Sequence, residues 1–205
     1  MEIIRKTAGA FATNNYLISE PSSGEAVLID AGGSAKPILD ECERLGKRLS
    51  KVLLTHGHCD HISALAQLQK RTGCEIYIHS GDAAMLRDPE LNLSAVTFMP
   101  FEPVKEAITI QDGDVISGAG LDIRVLHTPG HTPGGACYVC GNIIFSGDTL
   151  FAMSIGRTDF PGGSHKTLID SIRTKLLTLQ GDYTVYPGHG DKTSLDFERK
   201  NNPYL

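Results

Sequence analysis

This sequence of 205 residues predicts a layered α/β fold in which two β-sheets face each other and helices cover their outer faces. Three observations carry that expectation. Apolar runs of strand length alternate with helix-period segments in the order β-β-α-β-α-β, a block of strands follows, and an α-β pair comes last. Hydrophobic residues make up 40% of the chain, enough to fill a core between layers, so a single domain over 1–205 is expected. Polar residues stand beside glycine where several predicted strands end, the place where open α/β sheets carry their chemistry.

Residues 14–19 and 25–30 read as two strands of a hairpin or meander joined by the Pro21-Ser22-Ser23-Gly24 turn. After Gly32-Gly33 the spacing predicts a helix over 35–45, with Ile38, Leu39, Cys42 and Leu45 on one face. A strand at 51–55 follows, then a helix at about 61–71 carrying Ile62, Leu65 and Leu68, then a strand at 75–78. Residues 83–107 contain Pro89, Pro100 and Pro103 and are read as a short helical piece followed by a surface excursion. Strands are expected at 108–110, 115–116, 121–127, 135–139 and 142–145, a helix at about 165–179, and a last strand at 184–186.

Composition narrows the function. A formal charge of −5, with no basic block of the kind that tracks a phosphate backbone, argues against nucleic acid and anionic membrane as partners. Pairs such as Lys47-Arg48 and Lys70-Arg71 read as solvated helix ends. Met1 to Thr13 lacks a basic-then-apolar leader, and no run approaches the roughly 20 apolar residues of a spanning helix, so a soluble, cytoplasmic protein is expected. Five cysteines, an odd number, fit free thiols in a reducing compartment.

The chemistry concentrates at His56-Gly57-His58-Cys59-Asp60-His61, directly after the strand 51–55. Three imidazoles and a carboxylate in six residues exceed what one tetrahedral metal takes from one segment. The two-residue period of a strand aims His56 and His58 the same way, while Asp60 and His61 sit where the chain turns into a helix. Three later positions repeat this grammar at strand ends: His131 in Pro129-Gly130-His131, Asp148 in Ser146-Gly147-Asp148, and His189 in Pro187-Gly188-His189.

Seven donors suit two metals sharing one carboxylate. His56, His58 and His131 are assigned to a first ion, Asp60, His61 and His189 to a second, and Asp148 to both; Asp60 and Asp148 are the candidate catalytic carboxylates. Two divalent ions, zinc above all with iron or manganese as substitutes, would carry a bridging hydroxide formed at neutral pH and suited to hydrolysis. A thiolate leaving group fits such a site, which makes an acyl-thioester the expected small-molecule partner.

Other candidates receive plainer readings. His79 is expected at the surface, His127 as a structural residue behind the ligands, and His165 as an ordinary group near a helix start. Cys59 is expected to pack against the scaffold, and Cys137-Tyr138-Val139-Cys140 to be strand residues. Arg157 is a candidate substrate-binding residue, either as a carboxylate clamp or as an ion-pair residue that orients its loop.

Together HGHCDH at 56–61, TPGHTPGG at 128–135, FSGDTLF at 145–151 and YPGHG at 186–190 resemble the metallo-β-lactamase superfamily over essentially the whole chain. The resemblance implies an αββα sandwich with two mixed sheets, and the family's metal pattern agrees with the assignments above at all seven positions. IGRTDFPGG at 155–163 and the ending ERKNNPYL resemble the glyoxalase II-like hydroxyacylglutathione hydrolases, in particular the short bacterial form. That implies hydrolysis of S-lactoylglutathione or similar acyl-thioesters. Two departures concern the thiol half of the substrate. A C-terminal helical domain is not expected, and Arg157-Thr158-Asp159 stands where those enzymes carry Lys-Phe-Tyr. The Gly156–Phe160 stretch also resembles the persulfide dioxygenase branch, which implies one iron held by His56, His131 and Asp148. A secreted β-lactamase is not expected, because His61 and Asp148 stand where the common ones use a basic residue and a cysteine.

Overall fold

The computed structural model describes residues 1–205. Its first half forms β1 (Glu2–Ala8), β2 (Thr13–Ser19), β3 (Glu25–Ile29), α1 (Ala35–Leu45), β4 (Arg48–Leu53), α2 (Cys59–Ile62), α3 (Leu65–Thr72), β5 (Glu75–His79), α4 (Ser94–Thr97) and β6 (Ile108–Ile110). The second half forms β7 (Val115–Gly118), β8 (Leu121–His127), β9 (Ala136–Cys140), β10 (Ile143–Gly147), β11 (Leu150–Phe151), β12 (Ser154–Ile155), α5 (His165–Ser171), β13 (Thr184–Pro187), β14 (Thr193–Ser194) and α6 (Leu195–Asn201).

β1 to β6 lie in chain order in one sheet, antiparallel through β3 and parallel from β3 to β6. The other sheet has the order β14-β13-β10-β9-β8-β7, and within it only β10 and β13 run parallel. Side-chain alternation then sorts the apolar residues into layers. Leu17, Ala26 and Leu28 face a core shared with Ile38 and Cys42 of α1 and Leu65 and Leu68 of α3. Their neighbours Tyr16, Ile18, Val27 and Ile29 face inward against Ile123, Val125, Tyr138 and Phe145 of the second sheet. Cys137, Val139 and Ile144 point away from that centre onto Leu168, Ile172 and Leu195 of the far helical layer. Three cores separate four layers, the αββα arrangement of two mixed sheets flanked by helices.

α1 forms because Ala35, Ile38 and Cys42 make one buried stripe, and it stops at Gly46, whose φ of 64° lets its N–H bond the carbonyls of Cys42 and Glu43. Its buried Glu41 pairs with Arg44 and, at 2.6 Å, with Lys6 of β1. That edge strand is absent from the sequence reading because Glu2–Ala8 has no fully buried residue and so lacks strict alternation. The predicted helix at 61–71 is two pieces, α2 and α3. β6, read among the later strands, instead adds to the first sheet beside β5. Residues 80–86 form a 3₁₀ turn before α4, and the predicted helix at 165–179 is α5 continued by a π-helical turn over 172–176. The hairpin of β11 and β12 and the helix α6, capped by Ser194 accepting from the Phe197 N–H, were not expected. No helix is long and apolar enough to cross a membrane.

Two tyrosines tie the sheets together. The Tyr138 hydroxyl donates to the Leu54 carbonyl at 2.7 Å, and the Tyr16 hydroxyl donates to the Pro187 carbonyl at 2.6 Å. Burial pushes both phenols up, so they stay neutral donors. Leu54 and Pro187 each stand two residues before a strand-end histidine, so these bonds set the relative height of the two sheets at the site. Tyr138→Phe is expected to lower the unfolding free energy by about 1–3 kcal/mol, since it leaves a buried carbonyl unpaired. Tyr16→Phe should cost less, about 0.5–1.5 kcal/mol, because Asn14 Nδ2 also donates to Pro187 at 3.1 Å. Urea unfolding of the two variants checks the order, and equal losses would contradict it.

Candidate metal centre

All seven donor residues converge on one edge of the two sheets. His56 and His58 follow β4, Asp60 and His61 lie on α2, His131 lies between β8 and β9, Asp148 follows β10, and His189 follows β13. Ligand atoms of His56, His58 and His131 lie within 4.8 Å of one another, and so do those of Asp60, His61 and His189. Asp148 stands between the trios. One oxygen is 3.6 Å from His131 Nε2 and 3.5 Å from His189 Nε2, and the other is 3.5 Å from His61 Nε2.

The imidazoles are aimed by what their outer nitrogens bond. His131 Nδ1 meets the Arg157 carbonyl at 2.7 Å, His189 Nδ1 the Phe11 carbonyl at 3.0 Å, and His61 Nδ1 the Asp30 carboxylate at 2.9 Å. Each acceptor fixes the proton on Nδ1 and turns the Nε2 lone pair inward. His56 Nδ1 lies 3.1 Å from the Thr55 hydroxyl, which donates to Asp30. His58 is reversed, with Nδ1 facing inward 2.9 Å from His131 Nε2.

Whether these residues fit metal is answered by orphaned atoms and by charge. His56 Nε2 and Asp148 Oδ1 are buried and have no hydrogen-bond partner, although both point into the cluster. Burial and the neighbouring imidazoles push His56 well down and His58 down to about 3, so both are neutral donors. Burial also opposes charge on His61, yet Asp60, Asp30 and Asp148 outweigh it and bring that group up to about 10. Burial raises Asp60, but His61 and His189 hold it below the carboxylate range. Neutral lone pairs beside carboxylates that demand positive charge are the donor set of a cation site, and the residues fit it.

Two further carboxylates, not found by sequence reasoning, brace the cluster. Asp30, only 1% exposed, accepts from the Thr55 N–H at 2.8 Å as well as from the Thr55 hydroxyl and His61. Asp82, fully buried, accepts from the Gly57 N–H at 3.1 Å, the Thr132 hydroxyl at 2.7 Å and the Gly134 N–H at 2.6 Å. It therefore joins the loop of His56 and His58 to the loop of His131, while burial pushes its carboxyl up. Both carry the signal of the donors, Asp30 at a strand end shortly before Gly32-Gly33 and Asp82 in Ser80-Gly81-Asp82, the same pattern as Ser146-Gly147-Asp148. Thr13 adds a 2.9 Å hydroxyl bond to Asp60. Glycine is required where the chains close in: a Cβ at Gly188 would lie 2.3 Å from Asp148 Oδ1, and one at Gly156 would lie 1.8 Å from the Asp148 carbonyl.

Residues 8–189 match the family described as the metallo-beta-lactamase superfamily. The chain belongs to this superfamily. Hydroxyacylglutathione hydrolase GloC of Haemophilus influenzae is 38% identical, with 100% of this chain and 97% of the relative covered. Among solved structures, the B3 metallo-β-lactamase BLEG-1 superposes with a TM-score of 0.93 at 35% identity over 100% of this chain and 99% of its own. TTHA1623 in a di-iron-bound form gives 0.89 at 34% over 98% and 100%, and ETHE1 from Myxococcus xanthus gives 0.82 at 30% over 99% and 84%. As a member of the metallo-β-lactamase superfamily the chain is a metal-dependent hydrolase or oxidase, its His and Asp donors grouped for one or two buried ions.

Around the superfamily centre the remaining candidates fall into place. The Arg157 guanidinium makes two 2.7 Å bonds to Asp159 and stacks 4.0 Å over the Phe160 ring, while its carbonyl holds His131. Cys59 is buried, with Sγ 3.3 Å from the Thr97 hydroxyl, and Cys137 and Cys140 are buried in β9. His165 is exposed at the start of α5. His79 corrects the surface expectation: it is 5% exposed and stacks 3.8 Å from His127, because β5 lies between β4 and β6 and carries its last residue beneath the second sheet. His127 bonds the Pro133 carbonyl at 3.0 Å and so supports the His131 loop.

The two buried carboxylates predict separable losses. Asp82→Asn is expected to weaken metal held at the His56, His58 and His131 trio by about 10- to 100-fold and Asp30→Asn metal held at the Asp60, His61 and His189 trio by a similar factor, read by chelator competition. Equal weakening at both trios in each variant would show general loosening instead. Arg157→Ala keeps the carbonyl on His131 and should leave KM unchanged; a raised KM at constant kcat would make Arg157 a substrate clamp.

Proposed function

We propose that this chain is a dinuclear metal-dependent hydrolase of acyl-thioesters, a class that includes S-lactoylglutathione. The observation that carries the reading is the pairing of two complete donor trios with Asp148 between them. The name of the GloC relative and the di-iron form of TTHA1623 support it. His56, His58 and His131 would hold the first ion, Asp60, His61 and His189 the second, and Asp148 both. Zinc is the expected ion, with iron or manganese acceptable to the same donors.

Bound divalent ions would supply a hydroxide at neutral pH and positive charge for the carbonyl oxygen. Everything else falls to the chain. Asp148 keeps the two positions adjacent, with one oxygen 3.6 Å from His131 Nε2 of the first trio and the other 3.5 Å from His61 Nε2 of the second. Asp30, Arg157 and Phe11 lock the inward nitrogens of His61, His131 and His189 through their outer ones. Asp60, held by Thr13 and pushed into its ionised form, contributes charge as well as a ligand. A thiolate, with an ordinary pKa of about 8.5, departs unprotonated, so thioester cleavage asks for no general acid from the lining.

The Gly156–Phe160 stretch favours a second reading, a persulfide dioxygenase with one iron on His56, His131 and Asp148. Metal content separates the two. Purified protein with about two ions per chain and thiol release from S-lactoylglutathione is the expected result. One iron per chain, no thiol release and oxygen uptake on glutathione persulfide would move the assignment, and β-lactam opening without thiol release would move it toward BLEG-1-like chemistry. Asp148→Ala is expected to lose at least about 100-fold in activity, beyond what an orienting residue costs; two retained ions with near-normal hydrolysis would defeat the shared-ligand assignment.

A further inference from the structure

Five of the seven donors floor a cavity of about 420 Å³ whose wall is mostly apolar: Phe11, Leu93, Phe151, Ile155 and Phe160 line it. That wall reaches the reacting end. The Phe160 ring stands edge-on to His58 at 5.7 Å, and the Phe151 ring to His189 at 6.2 Å. No lysine lines the cavity, and its one arginine, Arg157, is closed onto Asp159 and stacked on Phe160. A glutathionyl group brings two carboxylates, and this wall offers them no uncommitted cation.

Exposure points the same way. Phe11, which lines the wall, is 50% exposed, so an apolar face of the cavity opens to solvent. A cavity lined by apolar side chains marks a place where an apolar group is received.

We infer that the thioester cleaved here carries an apolar acyl chain longer than lactoyl, seated against Phe11, Leu93, Phe151, Ile155 and Phe160, with the thiol half directed toward solvent. This rests on the thioester-hydrolase reading above. The cavity volume is far more than a lactoyl group fills, and each methylene buried there would leave water.

A series with one small neutral thiol tests it: acetyl, butyryl and hexanoyl thioesters of N-acetylcysteamine, with S-lactoylglutathione alongside, on the metal-loaded enzyme. Full burial of four added methylenes is worth roughly 200-fold, and the expected result is a rise in kcat/KM of at least tenfold from acetyl to hexanoyl, appearing in KM. Phe11→Ser is expected to shrink that ratio. Acetyl and hexanoyl substrates turned over alike, or S-lactoylglutathione preferred to hexanoyl, would overturn the inference. Binding of acetate and hexanoate to the same protein by titration calorimetry separates the two levels. If no thioester is cleaved but hexanoate binds at least tenfold tighter, the hydrolase reading fails and the apolar site stands. If hexanoate binds no tighter than acetate, the site assignment is overturned whatever the enzyme cleaves.

Discussion

The centre depends on burying the Asp30 carboxylate where β3, β4 and α2 meet. Its backbone N–H bonds Leu53 at 3.0 Å, its oxygens take the N–H and hydroxyl of Thr55, and one oxygen holds His61. A charge so far from water is costly unless every lone pair is engaged. Satisfying it draws the end of β4 and the start of α2 onto the end of β3, which is where the donor cluster has to form. The residue adopts φ of 59°, a left-handed conformation that short acidic side chains tolerate better than most. A conformation disfavoured in isolation is thus held by the same bonds that orient a ligand.

The clustering of these side chains was legible because His56, His58, His131, Asp148 and His189 stand beside glycine at the end of an apolar run, with Asp60 and His61 in the same segment as the first two. His131, Asp148 and His189 could be grouped with the 56–61 cluster without any contact being known. Their supports were not legible, since a role such as that of Asp82 exists only through bonds to Gly57, Thr132 and Gly134, the last two about fifty residues away. The layers were legible from strands with fully buried alternation such as β2 and β3, whereas β1, half-exposed along its length, offered no pattern. His79 misled for a related reason: a polar residue at a strand end reads as exposed until the neighbouring sheet is known to cover it.

A division of labour separates the donors from the wall around them. The ligands are held by the buried carboxylates of Asp30 and Asp82 and by the backbone carbonyls of Phe11 and Arg157. The wall comes from loops and the short β11–β12 hairpin, and four of the six non-glycine residues with positive φ lie in it or next to a lining residue: Ala12, Leu93, Phe98 and Met153. Left-handed backbone at such positions re-aims neighbouring side chains that a regular element would turn elsewhere, and it tends to collect at functional sites. Side-chain changes in the wall segments can therefore alter what is received while the backbone carbonyls of Phe11 and Arg157 go on holding His189 and His131.

The sheets are contiguous in sequence, one built from residues up to Ile110 and the other from Val115 onward. Only the short turn 111–114, with Gly113 at φ 86°, carries the chain between them. That crossing divides the seven donors four to three, and each trio draws members from both sides of it. A polypeptide cut at this turn would yield two fragments, neither of which owns a whole ligand set, so any metal retained by their mixture would report reassembly of the halves.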